Sequence, residues 1–158
     1  MDVSGERVTL HRISPDEAQR ILARTPADGD AWHEQYPLED ELRPLASHAT
    51  STSPEPVFTF YSIIENATGL AVGGIGFFGP PTDGQVEFGY GLVEAARGRG
   101  LATDAVLSVL RIATVGGATA AIADTEIGNT ASQQVLAKAG FTETRRDERV
   151  VYFNRSLA

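Results

Sequence analysis

A single α/β domain of the mixed α+β kind is what this chain of 158 residues predicts: one central, mostly antiparallel mixed sheet with helices on both faces. Three observations carry that expectation. The length suits one domain spanning residues 1–158. The middle of the chain alternates β-branched and aromatic runs with short turns, which pairs neighbouring strands antiparallel. From residue 100 onward the apolar spacing changes to that of a helix, so a crossover enters the sheet before a last pair of strands closes it.

Taken in order, residues 7–13 (RVTLHRI) form a short strand. Ser14 caps the next helix, with Pro15 at the first helical position and Glu17 closing a capping box. Residues 29–45 carry Trp32, Tyr36, Leu38 and Leu42 among acids and are helical in parts, broken at Pro37 and Pro44. Residues 50–56 (TSTSPEP) are a loop by composition. Strands follow over 57–65 (VFTFYSIIE), 70–78 and 85–93, joined by the turn Asn66-Ala67-Thr68-Gly69 and a hairpin loop over 79–84. A helix over 100–115 sets Leu101, Ala105, Val109 and Ile112 on one face. A buried strand over 118–124 precedes a helix over 130–139, capped by Asn129 and ended by Gly140. Residues 141–145 and 149–153 are the closing strands.

Composition removes several classes of function. Hydrophobic residues at 42% and charged residues at 22% are those of a folded domain. There is no cysteine, which excludes disulfides, thiolate nucleophiles and cysteine-built metal sites. His11, His33 and His48 lack metal spacing, so no metal is expected. With no apolar run near the ~20 residues of a membrane span and no signal-type N-terminus, a cytoplasmic protein without membrane association is expected. The net charge of −8 opposes a phosphate backbone and sets nucleic acid aside. Residues 1–56 hold 11 acids and 5 bases, a field that draws cations such as amines.

The chemistry concentrates in residues 86–106 (VEFGYGLVEAARGRGLATDAV). A strand ends near Val93, and a loop with Arg97, Gly98, Arg99 and Gly100 leads into a helix with no Ser, Asp or Asn cap. The orphan N–H groups of that helix start, two glycines and two arginines make an anion site of the phosphate-binding kind. A P-loop is excluded, because no Gly-Lys-[Ser/Thr] follows. The literal G-x-G-x-x-G over 74–79 runs into Pro80-Pro81 instead of opening a helix.

The run Arg97-Gly98-Arg99-Gly100-Leu101-Ala102 resembles the [Arg/Gln]-x-x-Gly-x-[Gly/Ala] signature of the GNAT superfamily of N-acetyltransferases. The segment from Asn129 through Ser132 to Gly140-Phe141 is similar to the family's Asn-x-x-Ser…Gly-Phe stretch. The likeness covers residues 57–145 well, and is nearest to the branch that acetylates N-termini of ribosomal proteins. It implies a GNAT fold whose sheet splays between the 85–93 and 118–124 strands, with acetyl-CoA as co-substrate and a primary amine, small molecule or peptide N-terminus, as acceptor.

The resemblance assigns residues in turn. Arg97, Gly98, Arg99, Gly100, Leu101, Ala102 and Thr103 hold the coenzyme phosphates, with Tyr90, Asn129 and Ser132 along its arm. The Leu92 amide faces the acetyl carbonyl as an oxyanion donor. Glu87 is the expected general base, and Ser132 the donor to the leaving sulfur. Many relatives have a Tyr where this chain has Leu136, which leaves Ser132, another Tyr or water for that step. Trp32, Tyr36 and Glu87 are the expected acceptor-side residues. Dimers are frequent in the family, so a homodimer stays open. Three functions fit these readings: a protein N-terminal acetyltransferase, a small-amine acetyltransferase, and a coenzyme-binding module without turnover.

Overall fold

The structure, a computed structural model, describes residues 2–50 and 57–157. The strands β1 (Asp2–Ser4) and β2 (Val8–Arg12) open the chain, and the helices α1 (Pro15–Ala23) and α2 (Leu42–Ala49) follow. Next come β3 (Phe60–Glu65), β4 (Ala71–Phe77) and β5 (Gln85–Leu92), then α3 (Leu101–Val115). The strand β6 (Ala120–Glu126), the helix α4 (Thr130–Lys138), and the strands β7 (Thr142–Arg146) and β8 (Val150–Ser156) complete it. Eight strands form one sheet in the order β1-β2-β3-β4-β5-β6-β8-β7. Every neighbour is antiparallel except the pair β5–β6, which is parallel. Among the described residues no helix is long and apolar enough to cross a membrane.

Local chemistry accounts for most boundaries. At the start of α1, Ser14 Oγ accepts from the Glu17 N–H at 3.1 Å and Glu17 Oε1 accepts from the Ser14 N–H at 3.2 Å, so both halves of the capping box form. Asn129 Oδ1 accepts from the Ser132 N–H at 3.1 Å and opens α4. Sequence patterning misplaces three features. The third strand begins at Phe60 instead of residue 57, because the Val57 carbonyl is taken by the Thr59 N–H and the Tyr61 hydroxyl and cannot join a ladder. The break expected at Pro44 is absent: Pro44 sits in the first turn of α2, where a missing N–H is tolerated. The three-residue β1, too short to show a period, hairpins onto β2. The loop expected over 50–56 lies, Thr50 apart, outside the described residues.

The two sheet faces serve different partners. Val86, Phe88 and Leu92 are buried on the face covered by α3, and Phe88 packs on Phe141 with ring centroids 5.8 Å apart. Side chains alternate along a strand, so Glu87, Gly89 and Gly91 look the other way, toward α2 and its lead-in. The β4–β5 seam is close-set: a Cβ on Gly73 would stand 2.2 Å from the Gly91 carbonyl oxygen. The start of α3 is fixed from the sheet, since Asp104 Oδ2 accepts from the N–H groups of Arg7 and Val8 at 2.9 and 3.0 Å.

The loop before α3 is anchored by an ion pair between Arg99 and Glu65. Glu65 is buried, and its carboxylate also accepts from the Thr68 hydroxyl at 3.3 Å. Arg99→Ala leaves that carboxylate without its countercharge. Its stability is expected to fall by about 1–3 kcal/mol in urea denaturation, while Arg97→Ala, whose side chain binds no buried charge, stays within about 0.5 kcal/mol of the parent.

Candidate active site

β5 and β6 pair only at Gln85↔Ala120, Val86↔Ala121 and Glu87↔Ile122. Beyond that point β5 stays bonded to β4 as far as Gly73↔Leu92, and β6 stays bonded to β8 as far as Glu126↔Val150. The two strands part, as expected of the 85–93 and 118–124 strands. The Val93 N–H donates to the Val72 carbonyl and the Glu87 carbonyl accepts from the Phe78 N–H. Odd-numbered backbone groups here therefore face β4, and strand alternation turns the Tyr90 and Leu92 N–H groups into the opened gap. The Leu92 carbonyl points the same way and accepts from Arg97 Nε at 3.1 Å.

A groove of about 400 Å³ runs from this edge to the start of α3. Leu92, Arg97, Gly98, Gly100, Leu101, Ala102 and Thr103 line one side. Asn129, Ala131, Ser132, Gln134, Val135 and Lys138 line the other. Gly100 caps α3 in the left-handed region with no side-chain acceptor for the helix N–H groups, which leaves them to an anion. Gly98 also has positive φ, and nothing lies within 4 Å of where its Cβ would be. The turn is open. Tyr90 lines the same groove, and its hydroxyl lies 2.6 Å from Ser132 Oγ. Burial raises the Tyr90 pKa, opposed by the bond to Ser132. A phenol less acidic than a thiol gives a sulfur a hydrogen bond and keeps its proton.

A second cavity of about 260 Å³ opens on the opposite face. Gly74, Gly76, Gly89 and Gly91 form its floor, and Ile13, Leu38, Leu45, Phe60 and Phe78 are among its walls. The two cavities share Tyr90 and Gly91. Glu41 also lines the apolar one. Its carboxyl lies flat on the strand, with Oε1 2.7 Å from where a Cβ of Gly74 would be. That oxygen is buried with no hydrogen-bond partner, and so is the Tyr36 hydroxyl. Burial pushes the Glu41 carboxyl up to about 8, against a backbone hydrogen bond from Leu38 and with help from Asp40. Burial, then the nearby Glu41, raises Tyr36.

The expected coenzyme set thus converges on one groove, with one exception: Arg99 turns to Glu65 and lines neither cavity. The expected acceptor set does not converge. Trp32 packs on Tyr36, ring centroids 6.2 Å apart, and neither lines the apolar cavity. Glu87 lines neither cavity, and stands four residues, about 13 Å, along β5 from Gly91. Burial and then Asp124 across the gap raise its pKa. Leu136 is fully buried in the core. Sequence reasoning passed over Glu41 and Lys138. The helical spacing of 131, 134, 135 and 138 signals one face of α4 and would have found Lys138; no local signal marks Glu41.

A family model described as an acetyltransferase (GNAT) domain matches residues 7–142. Among solved structures, the ribosomal L7/L12 α-N-protein acetyltransferase RimL in complex with coenzyme A is similar. Its TM-score is 0.72 at 14% identity, over 99% of this chain and 98% of that one. A GNAT-family acetyltransferase from Bacillus anthracis gives 0.70 at 16% identity, over 99% of both chains. The ribosomal-protein-S5-alanine acetyltransferase from Vibrio fischeri gives 0.69 at 13%, over 99% of this chain and 96% of that one. Such identities speak for the fold. No curated protein sequence matches.

A carboxyl whose pKa rises on folding binds its proton more tightly in the native state. Glu41 therefore lowers stability as pH climbs from its unfolded value near 4.5 through about 8. Glu41→Gln is expected to match the parent near pH 4 and to exceed it by roughly 4 kcal/mol at pH 9, read from urea midpoints at the two pH values.

Proposed function

The chain belongs to the acetyltransferase (GNAT) family, and from that premise we propose that it moves an acetyl group from acetyl-CoA to a primary amine by direct attack within a ternary complex. One observation carries this reading. Two cavities on opposite faces of the sheet meet at Tyr90 and Gly91, where the β5 edge is open. A thioester delivered from one side and an amine from the other come together there, and juxtaposition is itself a large part of catalysis.

The groove suits the coenzyme: its glycine turn is clear, its helix start is uncapped, and Arg97 and Lys138 supply positive charge. Acetyl-CoA supplies an activated acyl group and a thiolate leaving group. The N–H groups at Leu101, Ala102 and Thr103, with Arg97, hold the diphosphate. The Leu92 N–H donates to the acetyl oxygen as negative charge develops there. Ser132 and Tyr90 donate to the sulfur. Glu87, its proton affinity raised, takes the amine proton through water. No cysteine is present to form an acyl-enzyme.

The acceptor is a protein N-terminus or a small amine. RimL and the S5-alanine acetyltransferase are named for ribosomal proteins, which supports the first. A coenzyme-binding module without turnover is the second reading, favoured by the distance of Glu87 from both cavities.

Coenzyme A is expected to raise the melting temperature, and acetyl-CoA with an amine panel to release free thiol. Silence in both removes the transferase; a melting shift without turnover leaves the binding module. Arg97→Ala should raise the coenzyme Kd tenfold or more with an unchanged melting temperature. Glu87→Gln should lower kcat ten- to a hundredfold with the amine KM nearly constant, as steady-state kinetics will read.

A further inference from the structure

The apolar cavity above Gly74 and Gly91 combines features that define what it accepts. Its described lining has apolar walls, from Ile13, Leu38, Pro44, Leu45, Phe60, Ile75 and Phe78, and it includes no Lys, Arg or His. Its acids are Glu41, whose Oε1 is buried and unpartnered, and Asp40, which is exposed at the rim. Its volume of about 260 Å³ falls just short of the roughly 300–1,000 Å³ of sites for drug-sized ligands. Phe78, 61% exposed, stands at the mouth over Gly89. A buried carboxyl oxygen without a hydrogen-bond partner is a costly arrangement unless a ligand completes it.

We propose that Glu41 is the residue that recognises the acceptor, and that the acceptor is a compact primary amine with an apolar body and no carboxylate beside the nitrogen. The inference deepens the transferase reading and rests on it. The ammonium donates to Oε1, and the proton that burial keeps on the free carboxyl leaves as the cation enters, so that the bound pair is ionic, while the body lies against Leu38, Phe60 and Phe78. Gly74 and Gly91 are paired in register, so an amine held over Gly74 is next to the point where the two cavities meet. An α-carboxylate on the acceptor would lie beside Glu41 with no cation in the described lining to balance it, and like charge at close range excludes it. A peptide N-terminus fits only by its first residue or two, and its following peptide groups would be desolvated against apolar walls.

The test compares phenethylamine, phenylalanine and an alanine-initiated hexapeptide as acceptors. It also measures the melting shift that phenethylamine causes in the presence of coenzyme A. The expected kcat/KM for phenethylamine exceeds the other two at least tenfold. Glu41→Gln should raise the phenethylamine KM tenfold or more, change kcat and the acetyl-CoA KM less than threefold, and abolish the amine-induced melting shift. If Glu41→Gln does not fold, Gly74→Ala, which sets a methyl 2.7 Å from Oε1, displaces the same carboxylate and should raise KM likewise. Equal use of phenylalanine, a preference for the peptide, or an unmoved KM overturns the proposal and leaves the transferase standing. An amine-induced shift lost in Glu41→Gln, with no acetyl transfer from any acceptor, upholds the recognition and overturns the transferase.

Discussion

The parallel contact between β5 and β6 lasts three residue pairs and then fails, and the rest of the site follows from that failure. Each strand is held on its outer side, β5 by β4 and β6 by β8, so neither can follow the other. Buried backbone N–H groups must find acceptors, and those of Tyr90 and Leu92 are left facing a gap. A sheet that stayed paired there would have no inner edge to offer, and the groove at the start of α3 would have nothing to continue into. The helix start and the opened edge act as one receptor because α3 is itself fixed to β2 through Asp104.

The gap also decides how the two faces divide the labour. Large side chains at Val86, Phe88 and Leu92 cement one face to α3. Glycines on the opposite face of the same strand leave room for a second molecule. One strand thus carries core and cavity in strict alternation. Tyr90, half-buried and bonded to Ser132, spans the parting and with Gly91 is touched by both cavities.

Much of this was legible in the sequence. The capping box at Ser14 and Glu17, the Asn129 cap and the uncapped glycine turn at 98–100 are set by residues adjacent in the chain, where local chemistry suffices. The family resemblance supplied the coenzyme side and the parting of the strands. What escaped depends on residues that meet only in the fold. Arg99 looks like a phosphate ligand until Glu65 is found beside it, and only tertiary packing reveals that acid. Glu41 is the last of three consecutive acids, Glu39, Asp40 and Glu41, and looks like a solvated face. Its burial is set by the missing Cβ of Gly74, a residue on another element. Trp32 and Tyr36 stay out of the lining of the apolar cavity for the converse reason: their rings pack on each other.

The glycine floor has a consequence for how such a protein can diversify. A floor without side chains contributes shape but no preference, so on the proposed reading the chemical identity of the guest is written by the walls: the short stretch from Leu38 to Leu45 together with Ile13, Phe60 and Phe78. That stretch shares no residue with the lining of the coenzyme groove. On the proposed reading, exchanging a few of its side chains re-aims the enzyme at a new class of nucleophile without disturbing the coenzyme groove, which makes this wall a replaceable cartridge on a fixed frame.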